Sequence, residues 1–273
     1  MIAGIQDSSS YRLAEADSEF LEGDAARPAR IALEAMRPEE RLRAQQIDST
    51  VVVFGSSRIR DPAEARERLA AATAALQQAP DDAELGRRLR EAQRDVGWSR
   101  YYDDARQLAQ ELARHCMGSD RRELVVVTGG GPGIMEAANR GAWEVGAPSV
   151  GFNIELPREQ LPNPFLTPGL AFRFRYFAMR KLHFLLRARA LVALPGGFGT
   201  LDEVFEALTL VQTGRIDPIP VVLVGGDYWR RAVDFGFLVE EGFITEAESR
   251  LVTIVDTGRQ AAAVIRDCYG LRC

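Results

Sequence analysis

Lysine is almost missing from this chain. Of its 34 basic residues only Lys181 is a lysine, and the others are arginine. An ammonium kept at a single place is either a chance survivor of an arginine-rich composition or a position that needs a compact charge. Histidine is scarce as well, with only His115 and His183, so a histidine-rich metal site is not expected. The three cysteines, Cys116, Cys268 and Cys273, lack zinc-type spacing, and no metal centre is expected from them. No apolar run approaches the ~20 residues of a membrane span. The net charge of −5 argues against a dedicated nucleic-acid surface. The opening residues, MIAGIQDSSSYRLAEADSEF, do not run basic and then apolar as a secretion leader does. A cytoplasmic protein in a reducing compartment is the expectation.

What is present is ordinary in amount and informative in order. The 273 residues, 46% apolar and 27% charged, suffice for a substantial core. Residues 1–47 read as an N-terminal arm with one polar helix, ARIALEAMRPEERLRAQQ. Residues 48–273 read as a Rossmann-like nucleotide-binding domain. Apolar runs that are uniform, not alternating, recur at 49–57, 123–128, 148–157, 190–197, 219–226 and 251–257, with an alternating run at 170–177. Helical periodicity fills the intervals. Uniformly apolar strands alternating with helices predict a doubly wound parallel sheet in a three-layer α/β/α fold. A helical hairpin at about 62–98 is inserted after the first strand, broken at Pro80 with Asp81 and Asp82 available to cap its second helix. Its alanine-rich face suggests close helix packing or a subunit contact.

Three turns of small residues follow strands: GSS at 55–57, GGGPG at 129–133 and GGFGT at 196–200. In a doubly wound sheet all three fall at the carboxyl edge, where ligands bind near the reversal of strand order. Glycine turns ahead of a helix aim bare N–H groups and the positive end of the helix dipole at an anion. The second turn fails the G-x-G-x-x-G spacing in either register, which leaves NAD a minor reading supported only by Glu155 at the next strand end. A purely structural account also exists for each motif. Pro132 would start a helix at its first position, and Thr200 with Glu203 would form a capping box. The basic pair of FAMRK, Arg180 and Lys181, would then be a solvated turn.

Taken together, PGGFGTLDE, GGGPGIMEAANRGA, GFNIELPREQ and FAMRK resemble the LONELY GUY (LOG) family over about residues 49–256. These proteins are cytokinin riboside 5′-monophosphate phosphoribohydrolases and related nucleotide nucleosidases, long mislabelled as lysine decarboxylases. The arm and the insertion resemble those of longer bacterial members. The resemblance implies a homodimer or higher assembly with active sites near the subunit interface, and no cofactor. It implies hydrolysis of the N-glycosidic bond of a purine nucleoside 5′-monophosphate, with Arg180 and Glu203 as the catalytic pair. Gly196, Gly197, Gly199 and Thr200 would hold the 5′-phosphate, Lys181 would complement Arg180, and Gly130, Gly131 and Glu136 would line the sugar or base side. Compact members read His-Glu-Arg-Lys where this chain has residues 178–181 as AMRK, and Met-Gly where it has Met135-Glu136. Those departures bear on preference for cytokinin precursors more than on hydrolysis. Two rivals remain: a non-catalytic nucleotide or molybdenum-cofactor carrier, and a pyridoxal-phosphate decarboxylase built on Lys181.

Overall fold

Valine-rich runs with no polar alternation have to be covered on both faces, and that requirement organises the molecule. A computed structural model describes residues 2–116, 122–156 and 161–270; residues 157–160 of the GFNIELPREQ motif and Cys273 lie outside the described residues. Two short helices, α1 (Ile2–Gln6) and α2 (Ser18–Glu22), lead to the arm helix α3 (Arg27–Ala44). The first strand, β1 (Thr50–Phe54), is followed by the insertion, α4 (Pro62–Gln78) and α5 (Ala83–Trp98), and by α6 (Arg100–Cys116). The Asp82 carboxylate caps α5 by accepting from the N–H groups of Glu84 and Leu85, as the sequence indicates. Then come β2 (Val125–Thr128), α7 (Ile134–Glu144), β3 (Ser149–Ile154), β4 (Ala171–Phe174), α8 (Phe177–Leu186), β5 (Ala188–Ala193) and α9 (Phe198–Gln212). The chain continues through β6 (Val221–Val224), α10 (Gly226–Ala232), α11 (Phe235–Glu240), α12 (Glu246–Ser249), β7 (Val252–Val255) and α13 (Gly258–Tyr269).

The seven strands form one all-parallel sheet in the order β4-β3-β2-β1-β5-β6-β7. The chain begins at the centre, winds outward to β4, returns beside β1 as β5 and winds out the other way. Strand order therefore reverses between β1 and β5. Helices α6, α7 and α13 pack on one another and on the sheet, while α8 and α9 cover the remaining sheet surface and α3 lies against α8. This is the doubly wound, three-layer Rossmann-like fold expected from the strand pattern. The strands are shorter than the apolar runs because the small-residue turns leave the ladder early: β1 ends at Phe54, ahead of Gly55.

Two local expectations are corrected. Helix α7 starts at Ile134 with Gly133 as its cap, so Pro132 precedes the helix and does not occupy its first position. Gly133 has φ +72°, a left-handed conformation that takes glycine without cost, and a Cβ there would collide with the backbone of Ser56 and Ser57. The capping box also does not form. Helix α9 begins at Phe198 with Gly197 as its cap and no side-chain cap hydrogen bond, which puts Thr200 and Glu203 inside the helix.

Candidate active site

Backbone hydrogen bonds draw the three small-residue turns together. The N–H of Ser56, just past β1, donates to the Pro195 carbonyl at 3.0 Å, and the Ser56 carbonyl accepts from Ile134 N–H at 3.1 Å. The tip of β1 is thus stitched between the tips of β5 and β2. In front of them, at the reversal of strand order, opens a cavity of 940 Å³. Its walls include Gly55–Ser57 residues, Met135, Arg180, the segment from Pro195 to Glu203, and Arg94, Asp95 and Trp98 of the insertion.

The β5 tip is bare on the cavity side. A Cβ added to Gly197 or Gly199 would meet nothing within 4 Å, and neither residue has positive φ. The fold itself makes no demand for glycine at these two positions. The N–H groups of Phe198 and Gly199, at the start of α9, have no hydrogen-bond partner among the described residues. Gly196 differs, since a Cβ there would strike the Thr200 hydroxyl, and Thr200 is buried against it. The Tyr228 hydroxyl donates to the Gly196 carbonyl and braces the tip from α10.

Glu203 lines the same cavity but is only 6% exposed. It lies on the inward stripe of α9 with Thr200, Val204, Ala207 and Val211, where an apolar residue would ordinarily sit. Burial raises its pKa to about 7, against the opposing charges of Lys181 and Arg180, while Glu206 and Asp202 add to the rise. A carboxyl poised near neutrality inside a cleft is a candidate acid–base or electrostatic group. Arg180, one helix away on α8, is mostly buried. Burial lowers its pKa and the Glu203 charge pulls the other way. Its Nε donates to the Phe152 carbonyl at 2.7 Å, and the guanidinium lies 5.2 Å above the Phe184 ring. A Cβ on Gly129 would come within 2.5 Å of Arg180 Nη2, so glycine at the β2 tip makes room for this guanidinium.

The remaining sequence candidates lie elsewhere. Lys181 bridges α8 to α9 through Asp202 (2.7 Å) and Glu206 (2.9 Å) and does not line the cavity. Burial works against its charge, but hydrogen bonds to the two carboxylates outweigh it and raise its pKa. Gly130 and Gly131 are held behind the rim. The Gly130 N–H donates to Thr128 Oγ1, and Asn163 donates to both glycine carbonyls, through its N–H and Nδ2. Glu136 accepts from the Tyr102 hydroxyl at 2.9 Å. Glu155, the one support for a dinucleotide reading, follows β3 on the β4 side of the sheet and forms ion pairs with Arg173 and Arg175. The insertion is present where the sequence indicates; what sequence reasoning missed is that it lines the cleft. Arg94 and Trp98 are four residues apart on one face of α5, and only the tertiary fold brings that face over the cleft. Among the described residues no group of three or more His, Cys, Asp or Glu side chains is arranged to hold a metal ion.

Fold and cleft together define a Rossmann-like α/β protein with a cavity at the topological switch point. Residues 135–265 match the family model described as "Possible lysine decarboxylase". The chain is 29% identical over 169 residues to the probable cytokinin riboside 5′-monophosphate phosphoribohydrolase LOGL3 of Oryza sativa subsp. japonica, covering 59% of this chain and 73% of that one. It is 29% identical over 166 residues to the cytokinin riboside 5′-monophosphate phosphoribohydrolase LOG3 of Arabidopsis thaliana, with the same coverage. Among solved structures it is similar to the molybdenum cofactor carrier protein of Chlamydomonas reinhardtii, at 19% identity and a TM-score of 0.47 over 82% of this chain and 99% of that one. In sequence the chain is therefore similar to LOG proteins over about 60% of its length.

Proposed function

We propose that this protein hydrolyses the N-glycosidic bond of purine nucleoside 5′-monophosphates, releasing free base and ribose 5-phosphate. The observation that carries the reading is Glu203, a buried carboxyl facing the same cavity as Arg180 and the bare glycine tip. Gly197 and Gly199, glycines the fold does not require, leave room for a phosphate at the positive end of α9. The Arg180 guanidinium then holds phosphate or ribose. Cleavage develops an oxocarbenium-like sugar, which a carboxylate stabilises. Glu203 in its ionised form supplies that charge or orients the attacking water. The water oxygen bonds to the anomeric carbon as the bond to the base breaks, and the displaced proton ends on the base. Lys181, locked between two carboxylates, serves in this scheme by fixing α9 against α8 and so aiming Glu203 and Arg180 together.

A decarboxylase reading asks Lys181 for a free amine, and its two ion pairs hold it as an ammonium. The outward apolar side chains of α8 and α9, among them Phe177, Leu186, Phe198 and Phe205, are read as a homodimer interface beside the cleft mouth. The decisive experiment incubates wild type and Glu203→Gln with AMP and measures adenine by chromatography. Wild type is expected to release adenine, and the variant to lose at least a hundredfold in rate while keeping its fold by circular dichroism. Full activity in the variant overturns the scheme. Binding of AMP by wild type with no base released would favour the carrier alternative.

A further inference from the structure

Trp98, the last residue of the inserted hairpin, packs on the core and still leaves part of its ring exposed. It is 36% exposed and lines the same cavity as the glycine tip. One side of its ring is stacked on the fully buried Tyr101, with centroids 5.7 Å apart and planes 27° from parallel. Its edge meets Tyr228 at 6.1 Å and 87°. The Tyr228 hydroxyl in turn donates to the Gly196 carbonyl. A rigid aromatic surface therefore stands one ring away from the tip at which the proposed phosphate would bind, and it is physically tied to that tip. Beside it, Arg94 also faces the cavity and forms no ion pair among the described residues.

We propose that the insertion supplies the leaving-group subsite of this cleft, with the purine ring stacking on Trp98. The proposal rests on the reading of the glycine tip as the sugar-phosphate holder. A flat aromatic group backed by a second ring is suited to a heterocyclic base, since every base presents a π-face and stacking is tolerant of its substituents. Arg94, a donor-only group, is placed to reach acceptor nitrogens or oxygens on the base edge. Choice of substrate would then be set by α5, an element outside the sheet that carries the chemistry.

The test compares a nucleotide with its sugar phosphate. Trp98→Ala is expected to raise the KM for AMP about tenfold, leaving inhibition by ribose 5-phosphate within about twofold of wild type. Trp98→Phe, which keeps a ring to stack on, should restore most of the loss. Tryptophan fluorescence gives a second readout that needs no turnover: AMP should quench wild type, ribose 5-phosphate should not, and the AMP signal should vanish in Trp98→Phe. An unchanged KM and an unchanged AMP quench in the variants would overturn the proposal. So would equal losses for AMP and ribose 5-phosphate, which mark a structural role. If wild type releases no base at all, the hydrolase reading fails, and the fluorescence experiment still decides whether Trp98 meets the base.

Discussion

At the scale of single residues, the cost of the site is concentrated in Glu203. Between the ordinary carboxyl value of 4.5 and its raised value of about 7, the folded chain keeps a proton that the unfolded chain releases. Stability therefore falls as pH rises through that window, and the loss is complete above it. Glu203→Gln, which cannot ionise, is expected to be more stable than wild type at pH 8 by up to about 3 kcal/mol, with the difference closing near pH 4. Thermal melts of both proteins across that range measure it. The same titration shapes catalysis with the opposite sign. If the carboxylate is the working form, base release should climb roughly tenfold per pH unit below about 7 and level off above. A rate that rises on acidification would exclude that role.

At the scale of elements, the arm acts as a brace for α8. The Glu34 carboxylate of α3 accepts from Arg175 N–H (2.7 Å) and Tyr176 N–H (3.2 Å), the two groups just ahead of α8. No side chain of α8 itself provides a cap there. Buried His183 meets the Glu34 carbonyl at 2.9 Å, and Arg187 grips Glu39 with two hydrogen bonds of 3.1 and 2.8 Å. Since α8 carries Arg180, a loosened brace should be felt in the cleft. Glu34→Ala is expected to cost about 1 kcal/mol of stability, as lost helix caps do, and to lower the rate of base release about fivefold at saturating AMP. A melt shift with no change in rate would confine the arm to a structural part.

For the whole molecule, the question is what covers the outer surface of α8 and α9. On α9 Phe198 is 92% exposed and Phe205 38%, and on α8 Leu182 and Leu186 are exposed as well. Large apolar side chains gathered on neighbouring helices are unusual on a free surface and ordinary in a subunit interface. Light scattering is expected to give the mass of a dimer for wild type. Glu substituted at Phe205 and Leu186, neither of which lines the cavity, should yield monomers. A wild-type monomer at micromolar concentration would remove the interface reading. It would leave the cleft unaffected.

Elements that depend on local physics are legible in the linear chain. The seven strands, the parallel sheet and the Asp82 cap follow from apolar runs and short-range hydrogen bonding, which a linear reading can see. So does the meeting of three turns at one edge, because parallel strands put all their carboxyl ends on the same side. The rest depends on long-range packing. Thr200 and Glu203 have the spacing of a capping box, yet α9 starts at Phe198 and carries both inward, since helix phase is set by packing on the sheet. Read linearly, Lys181 is a partner for Arg180 in the cleft, but adjacent helix residues point in different directions, and Asp202 and Glu206 take its charge. The face of α5 that carries Arg94 and Trp98 bears no mark of its destination, because whether a helix covers a cleft or solvent depends on contacts made far away along the chain.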